Sequence, residues 1–291
     1  MSHIITVPAF SDNFIWLVCN KEHNKKCDEK KQKGVIVDPG DPTHLLPLLE
    51  KKNIEPIAVI ITHFHYDHGN GLPALLERYP DLPIYGPASE FELLKNYPAY
   101  PPEYGPASNC FKTIKALAHP LSGNEKITFD EIGCSFQVVN IPGHTSGHIA
   151  YYDEENKRLF CGDTMFAGGC GRVFNGTMKK LHDSLQLIKQ LPEDTLIYCA
   201  HEYTLDNLGF AKWVEPDNKA ISARQEEDMA LFDNDKATVP SLLSLELETN
   251  PFMRTHLPHV AERVAEATGK TLNNSTEVFE AMRIWKDSEY D

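Results

Sequence analysis

The sequence predicts an α+β protein in which a strand-rich segment, residues 1–203, is followed by a helical one, residues 204–291. Three observations predict it. Short apolar runs rich in Ile, Val, Phe and Tyr recur up to Tyr203, each closed by a turn signal. Beyond Tyr203 these runs fade and apolar residues recur at helical spacing instead. The chain, at 291 residues, is about twice the ~150-residue prior for one domain, which leaves room for two.

In chain order the strand candidates are HIITVP, FIWLVC, GVIVDPG, IAVIIT, FQVVNIPG, IAYYD, RLFCGD and TLIYCA. Helical periodicity interrupts them at residues 43–52, where Leu45, Leu46, Leu48 and Leu49 crowd one side, and at residues 71–78. Many strands with few helices fit more than one two-layer β arrangement, and periodicity does not choose among them. The charged stretch 21–33 and the Pro/Tyr-rich stretch 97–106 read as surface insertions. In the second segment helices are expected at 218–232, at 259–268 ending at Gly269, and at 277–285. Asn274 with Glu277 has the form of an N-cap with an acidic third residue, and Val278, Met282 and Trp285 make an apolar stripe behind it.

With 28 Lys and Arg against 42 Asp and Glu the formal charge is −14, and the last 88 residues hold 9 of the former against 17 of the latter. Bulk electrostatics of this sign repel a phosphate backbone and an anionic membrane, so neither nucleic acid nor membrane is an expected partner. No apolar run approaches the ~18 residues of a membrane span, and MSHIITVPAF lacks a basic leader region, which makes a cytoplasmic protein the expectation. The seven cysteines are odd in number, dispersed and never in a CxxC pair. Reduced thiols are expected rather than a disulfide framework or a thiolate zinc site.

Chemistry concentrates at strand ends. The run IAVIIT leads directly into His63-Phe64-His65-Tyr66-Asp67-His68. In extended backbone His63 and His65 project to one side, so two imidazoles can converge on one metal, while Asp67 and His68, after the chain turns, can face a second. A solvated or core role for so dense a histidine cluster is the bland alternative, and the spacing favours metal. His144 in IPGHTSGH, Asp163 in CGDT and His201 in CAHEY are weak signals singly, each as readily a turn or core residue. Together they bring the set to five histidines and two carboxylates, enough for two ions sharing an aspartate. Nitrogen and oxygen ligands without thiolate suit Zn²⁺ and tolerate Fe or Mn. His148 is expected beside a ligand rather than as one. Thr145 and Ser146 read as turn caps, and Cys161 and Cys170 as packing residues.

HFHYDH, PGHTSGH, CGDT and CAHEYT resemble the metallo-β-lactamase superfamily, and within it the chain resembles the glyoxalase II family of hydroxyacylglutathione hydrolases. The likeness runs from VPAFSDNFIWLV through GCGR to NPFMR and RIWK. It implies an αβ/βα four-layer sandwich, residues 1–203, with a C-terminal helical substrate-binding domain, residues 204–291. It implies that His63, His65 and His144 hold one metal, that Asp67, His68 and His201 hold the other, and that Asp163 bridges them. Arg172, Phe174, Tyr203, Arg283 and Lys286 would meet the glutathione moiety, Phe174 standing where other members carry tyrosine. The implied reaction is hydrolysis of S-D-lactoylglutathione and related S-(2-hydroxyacyl)glutathiones by a hydroxide on two divalent ions, with Asp67 and Asp163 holding the nucleophile. A monomer acting on a small-molecule glutathione thioester, in the second step of methylglyoxal detoxification, is the corresponding expectation.

From spacing alone, Arg283 and Lys286 on one helix are more readily a solvated face than an anion site. Neither GxSxG nor a P-loop occurs, so serine-hydrolase and nucleotide readings have no direct support. Rival readings are a lactonase or β-lactamase on the same scaffold, a mononuclear-iron persulfide dioxygenase, which lacks the long helical segment, and a non-catalytic metal-binding protein.

Overall fold

The computed structural model describes residues 2–20, 31–91 and 119–290. The chain folds as two compact units, residues 1–140 with 147–156, and residues 141–146 with 157–291.

In the first unit the predicted strand runs pair. β1 (His3–Ala9) and β2 (Asn13–Cys19) form an antiparallel hairpin, and β3 (Gln32–Val37) lies antiparallel to β2. Helix α1 (Pro42–Lys51), capped by the Asp41 side chain on Thr43 N, then returns the chain so that β4 (Ile54–Ile60) runs parallel to β3. The one-turn α2 (Tyr66–Gly69) and α3 (Leu72–Arg78) lead to β5 (Ile84–Pro87), parallel to β4, and β6 (His119–Leu121) is parallel to β5. Ile36, Val59 and Ile61 from the sheet, Leu45 and Leu49 of α1, and Leu72 and Leu75 of α3 share one buried cluster. Each of these side chains contributes about 1.5–3 kcal/mol by leaving water. β7 (Lys126–Phe129), β8 (Cys134–Asn140) and β9 (Ile149–Asp153) form an antiparallel meander.

The second unit carries β10 (Arg158–Gly162), the short hairpin β11 (Met165–Phe166) and β12 (Gly169–Cys170), β13 (Leu196–Cys199) parallel to β10, and β14 (Ser241–Leu242) antiparallel to β13. Its helices are α4 (Met178–Ile188), α5 (Thr204–Val214), α6 (Lys219–Phe232), α7 (Leu243–Thr249), α8 (Pro258–Thr268) and α9 (Ser275–Trp285). The caps at Gly269 and Asn274 fall where the sequence placed them, and Asn218 caps α6. Asn218 accepts from Ala220 N, Gly269 ends α8 at φ +67°, and Asn274 accepts from Glu277 N while Glu277 accepts from the Asn273 N–H and the Asn274 amide.

The α+β class and the helical carboxyl-terminal segment are as predicted. Helices α5 and α7 and the short strands β5, β6, β7, β11, β12 and β14 were not among the expected elements, and neither was helix α4. It is capped by Thr177 and buries Leu181, Leu185 and Ile188 at i, i+4 and i+7, a stripe that its Lys, His, Asp and Gln neighbours dilute in composition. α2, carrying Asp67 and His68, is a single turn, too short for periodicity to register. The expected insertion at 21–33 lies outside the described residues except for its end, where Gln32 and Lys33 already belong to β3; that at 97–106 lies wholly outside them.

Candidate metal centre

β4 ends at Ile60, and the chain continues as an extended segment through His65 before α2 begins. Tyr151 on β9 donates its hydroxyl to Ile61 O at 2.7 Å, and Ile149 N–H of the same strand bonds to Thr62 O, so β9 fixes the segment at two successive carbonyls. As alternation predicts, the His63 and His65 rings converge, with centroids 4.6 Å apart, and the His68 ring lies 4.1 Å from that of His63. His63 and His68 are fully buried. His148, expected as a neighbour rather than a ligand, stacks on His63 at 4.5 Å.

Hydrogen bonds set the tautomers of these rings. Asp38, at φ +48° just past β3, is buried and accepts from Thr62 N (2.8 Å), Thr62 Oγ1 (2.6 Å) and His68 Nδ1 (3.0 Å). Because the Thr62 hydroxyl donates to Asp38, its oxygen accepts from His63 Nδ1 at 3.1 Å. In both imidazoles the proton therefore sits on Nδ1, and Nε2 presents its lone pair. Asp67 is oriented from β2, where the Asn13 amide donates to its Oδ2 at 2.9 Å.

The second unit repeats the logic. Gly143 precedes His144 at φ +150°, and a side chain there would meet Leu181 Cα at 2.3 Å. His144 Nδ1 donates to Arg172 O at 2.8 Å, again freeing Nε2. Asp163 follows β10, and its Oδ2 lies 3.5 Å from His144 Nε2 and 3.3 Å from His201 Nε2. One carboxylate oxygen thus faces two imidazole nitrogens. Gly171 permits this approach, since a Cβ on it would stand 2.0 Å from Asp163 O. Burial pushes the nearby thiols up, Cys170 to about 11, Cys199 to about 12 and Cys161 well above the ordinary range, so they are packing residues rather than thiolate ligands.

Among the described residues, side chains able to hold a metal ion occur in both units: His63, His65, Asp67 and His68 in the first, and His144, Asp163 and His201 in the second. The donor set is imidazole and carboxylate, which suits a divalent ion of zinc or iron type.

The remaining predicted residues lie in the second unit. Phe174 is 42 % exposed and packs edge-on to His144 at 5.1 Å, while Tyr203 stacks on His201 at 4.8 Å. Arg172 is exposed, with Nε 3.5 Å from Asp287 Oδ1. Arg283 and Lys286 do not form a solvated helix face. Arg283 is 1 % exposed and donates to Cys170 O (3.1 Å) and Asp287 Oδ1 (2.8 Å), and buried Lys286 donates to Asp206 Oδ2 at 3.4 Å. His182 is buried, and His256 and His259 are exposed, as is His119 of the first unit. The residues that orient the ligands, Asp38, Thr62 and Asn13, were not singled out from sequence. Asp38 had one available signal, a carboxylate in VDPG at a strand end.

Residues 29–201 match the metallo-β-lactamase superfamily model, and residues 202–289 match the model of the hydroxyacylglutathione hydrolase C-terminus. The BLEG-1 B3 metallo-β-lactamase superposes with a TM-score of 0.61 at 23 % identity, covering 86 % of this chain and 99 % of that one. TTHA1623 in a di-iron-bound form superposes at 0.55 with 25 % identity, covering 86 % and 99 %. Hydroxyacylglutathione hydrolases of Nitrosomonas eutropha and Aeromonas salmonicida are 39 % and 40 % identical, each over 99 % of both chains. The chain belongs to the metallo-β-lactamase superfamily and, within it, to the hydroxyacylglutathione hydrolases.

Proposed function

We propose that the protein is a thioester hydrolase that converts S-D-lactoylglutathione, and related S-(2-hydroxyacyl)glutathiones, to glutathione and the free hydroxy acid. The observation that carries this reading is the joint occurrence, in one chain, of the histidine and aspartate ligand set and the match to the hydroxyacylglutathione hydrolase C-terminus. It corresponds to a catalytic domain over residues 1–203 and a helical substrate-binding domain over residues 204–291, and to the second step of methylglyoxal detoxification.

The proposed sites are His63, His65 and His144 for one ion and Asp67, His68 and His201 for the other, with Asp163 bridging. The position of Asp163 Oδ2 between two Nε2 atoms supports the bridge. Zn²⁺ is the proposed metal, Fe and Mn being compatible with the same donors, and the di-iron form of TTHA1623 supports a binuclear site on this scaffold. Divalent ions held by these residues would activate water at neutral pH and polarise the acyl carbonyl.

The chain's own residues do the rest. Asp38, Thr62 and the Arg172 carbonyl hold the Nδ1 protons and keep Nε2 of His68, His63 and His144 available. Asp67 and Asp163 aim the nucleophile. The thioester needs no acid for departure, because a thiolate leaves unprotonated near neutral pH.

Arg172, Phe174, Tyr203, Arg283 and Lys286 are the proposed contacts of the glutathione moiety. Arg172 supplies charge to the carboxylates, and the exposed faces of Phe174 and Tyr203 border the His144 and His201 rings. Arg283, being buried, acts through Asp287, which it holds against Arg172. Each predicted ligand comes from this one chain, consistent with a monomer, and the buried free cysteines Cys19, Cys134, Cys161, Cys170 and Cys199 are consistent with a reducing, cytoplasmic setting. Among the described residues no helix is long and apolar enough to cross a membrane.

The test is hydrolysis of S-D-lactoylglutathione by the purified chain, followed at the thioester absorbance, with metal content measured on the same sample. Turnover with close to two ions per chain is expected. Absence of turnover with two ions bound refutes the substrate, and one bound iron refutes the binuclear hydrolase.

A further inference from the structure

Glu90, in the helical turn after β5, is a buried carboxylate that the chemistry above does not use; it is 5 % exposed. Its two oxygens accept from two different loops. Oε2 takes the N–H of Phe64 at 2.8 Å and Oε1 takes the N–H of Gly147 at 3.2 Å. The Phe64 amide lies between His63 and His65, and Gly147 directly precedes His148, whose ring stacks on His63. The Phe64 ring goes down into the core beside Phe91, with centroids 6.1 Å apart. The backbone of the histidine turn is thereby held twice, by a ring in the core and by an amide on a carboxylate. Residue 147 has to be small for the second loop to come this close, because a Cβ there would stand 2.6 Å from Glu90 Cγ and 2.4 Å from Ser89 Oγ.

A carboxylate that accepts backbone amides from two segments fixes their spacing more firmly than neutral bonds do, since charge-assisted bonds are roughly twice as strong. We propose that Glu90 is a positioning residue for the metal centre: by clamping the Phe64 and Gly147 amides it sets the His63 and His65 pair, and the His148 ring stacked on it, in the arrangement that receives an ion. The proposal rests on His63 and His65 being metal ligands. Glu90→Gln keeps the shape of the side chain but removes the charge and turns an NH₂ toward one of the two amides, so the clamp opens on one side.

The experiment uses the full chain, stripped of metal and titrated with Zn²⁺ against a chromophoric chelator and with Co²⁺ followed by its d–d absorption. Glu90→Gln and Glu90→Ala are compared with wild type and with Glu215→Gln, which loses a buried carboxylate bonded to Arg254 and His259. For Glu90→Gln the Zn²⁺ affinity of one site falls about 10–100-fold and the Co²⁺ spectrum shifts, with metal content restored by excess Zn²⁺. Glu215→Gln keeps the wild-type affinity and spectrum. Wild-type affinity and spectrum in Glu90→Gln overturn the proposal, as does equal weakening in both variants. Should neither Glu90 variant fold, amide exchange in metal-free wild type decides: slow exchange at Phe64 and Gly147 supports the clamp, and exchange at the rate of unprotected amides overturns it. A wild-type chain that binds no Zn²⁺ removes the underlying metal reading instead.

Discussion

Asp38→Asn isolates the electrostatic part of ligand orientation. Asparagine tolerates the +48° φ at this position, so the backbone has no reason to move. The carboxylate accepts three hydrogen bonds in a buried setting, from Thr62 N, Thr62 Oγ1 and His68 Nδ1. Asparagine Oδ1 can still serve the Thr62 amide, but its NH₂ faces the two donors that Oδ2 received. Bonds to charged groups contribute about 1.5–3 kcal/mol each, so losing two removes roughly 3–6 kcal/mol. Rotating the Thr62 hydroxyl to accept from the new NH₂ recovers about 1 kcal/mol, the worth of a neutral bond, leaving a net cost of about 3 kcal/mol.

The rotation also changes chemistry. A Thr62 hydroxyl that no longer points at residue 38 can donate to His63 Nδ1, which moves the ring proton onto Nε2, the nitrogen presented to the metal. Calorimetry of the metal-free chain is expected to show a Tm lower by about 10 °C, and chelator competition an affinity about 10–100-fold weaker. A metal-free Tm within about 2 °C of wild type, or an unchanged Zn²⁺ affinity, would refute the assignment of Asp38 as the group that fixes both imidazoles.

Three further outcomes are expected. Gly171→Ala forces a methyl against Asp163 O, costs about 1–3 kcal/mol and lowers bound metal, so a variant of wild-type stability with full metal content refutes the close-approach argument. Burial alone would raise the Glu215 carboxyl, but hydrogen bonds from Arg254 and His259 outweigh it and hold the group below its ordinary 4.5. A lowered folded-state value means stability that is present above pH 4.5 and lost as pH falls below it, so the roughly 3 kcal/mol gap between wild type and Glu215→Gln should close in acid, and urea titrations showing a pH-independent gap would count against it. Cys161, Cys170 and Cys199, buried and with thiols raised by desolvation, stay unmodified by iodoacetamide at pH 8 until the chain unfolds; peptide mapping that finds them alkylated in the native state contradicts their burial.

The sequence by itself determined the chemistry. His63, His65, Asp67 and His68 lie within six residues of one segment, where side-chain alternation alone aims the first two together, and each of His144, Asp163 and His201 stands in a short turn after an apolar run. The helix start at Asn274 and the helix stop at Gly269 were equally legible, because capping is settled within four residues. What lay outside that range was not. Asp38 reaches His68 across 30 positions, Glu90 reaches Gly147 across 57, and Arg283 reaches Cys170 across 113.

Only the tertiary structure chose those partners. A buried donor or acceptor must be satisfied by whatever group the topology brings beside it, and a residue type does not say which group that will be. The fate of Arg283 and Lys286 shows the same division. Helical spacing put them on one face, but whether that face met water, an anion or the protein's own carboxylates depended on packing, and packing gave them Asp287 and Asp206. Local pattern therefore specified which atoms can bind a metal, and long-range burial decided which protons those atoms carry.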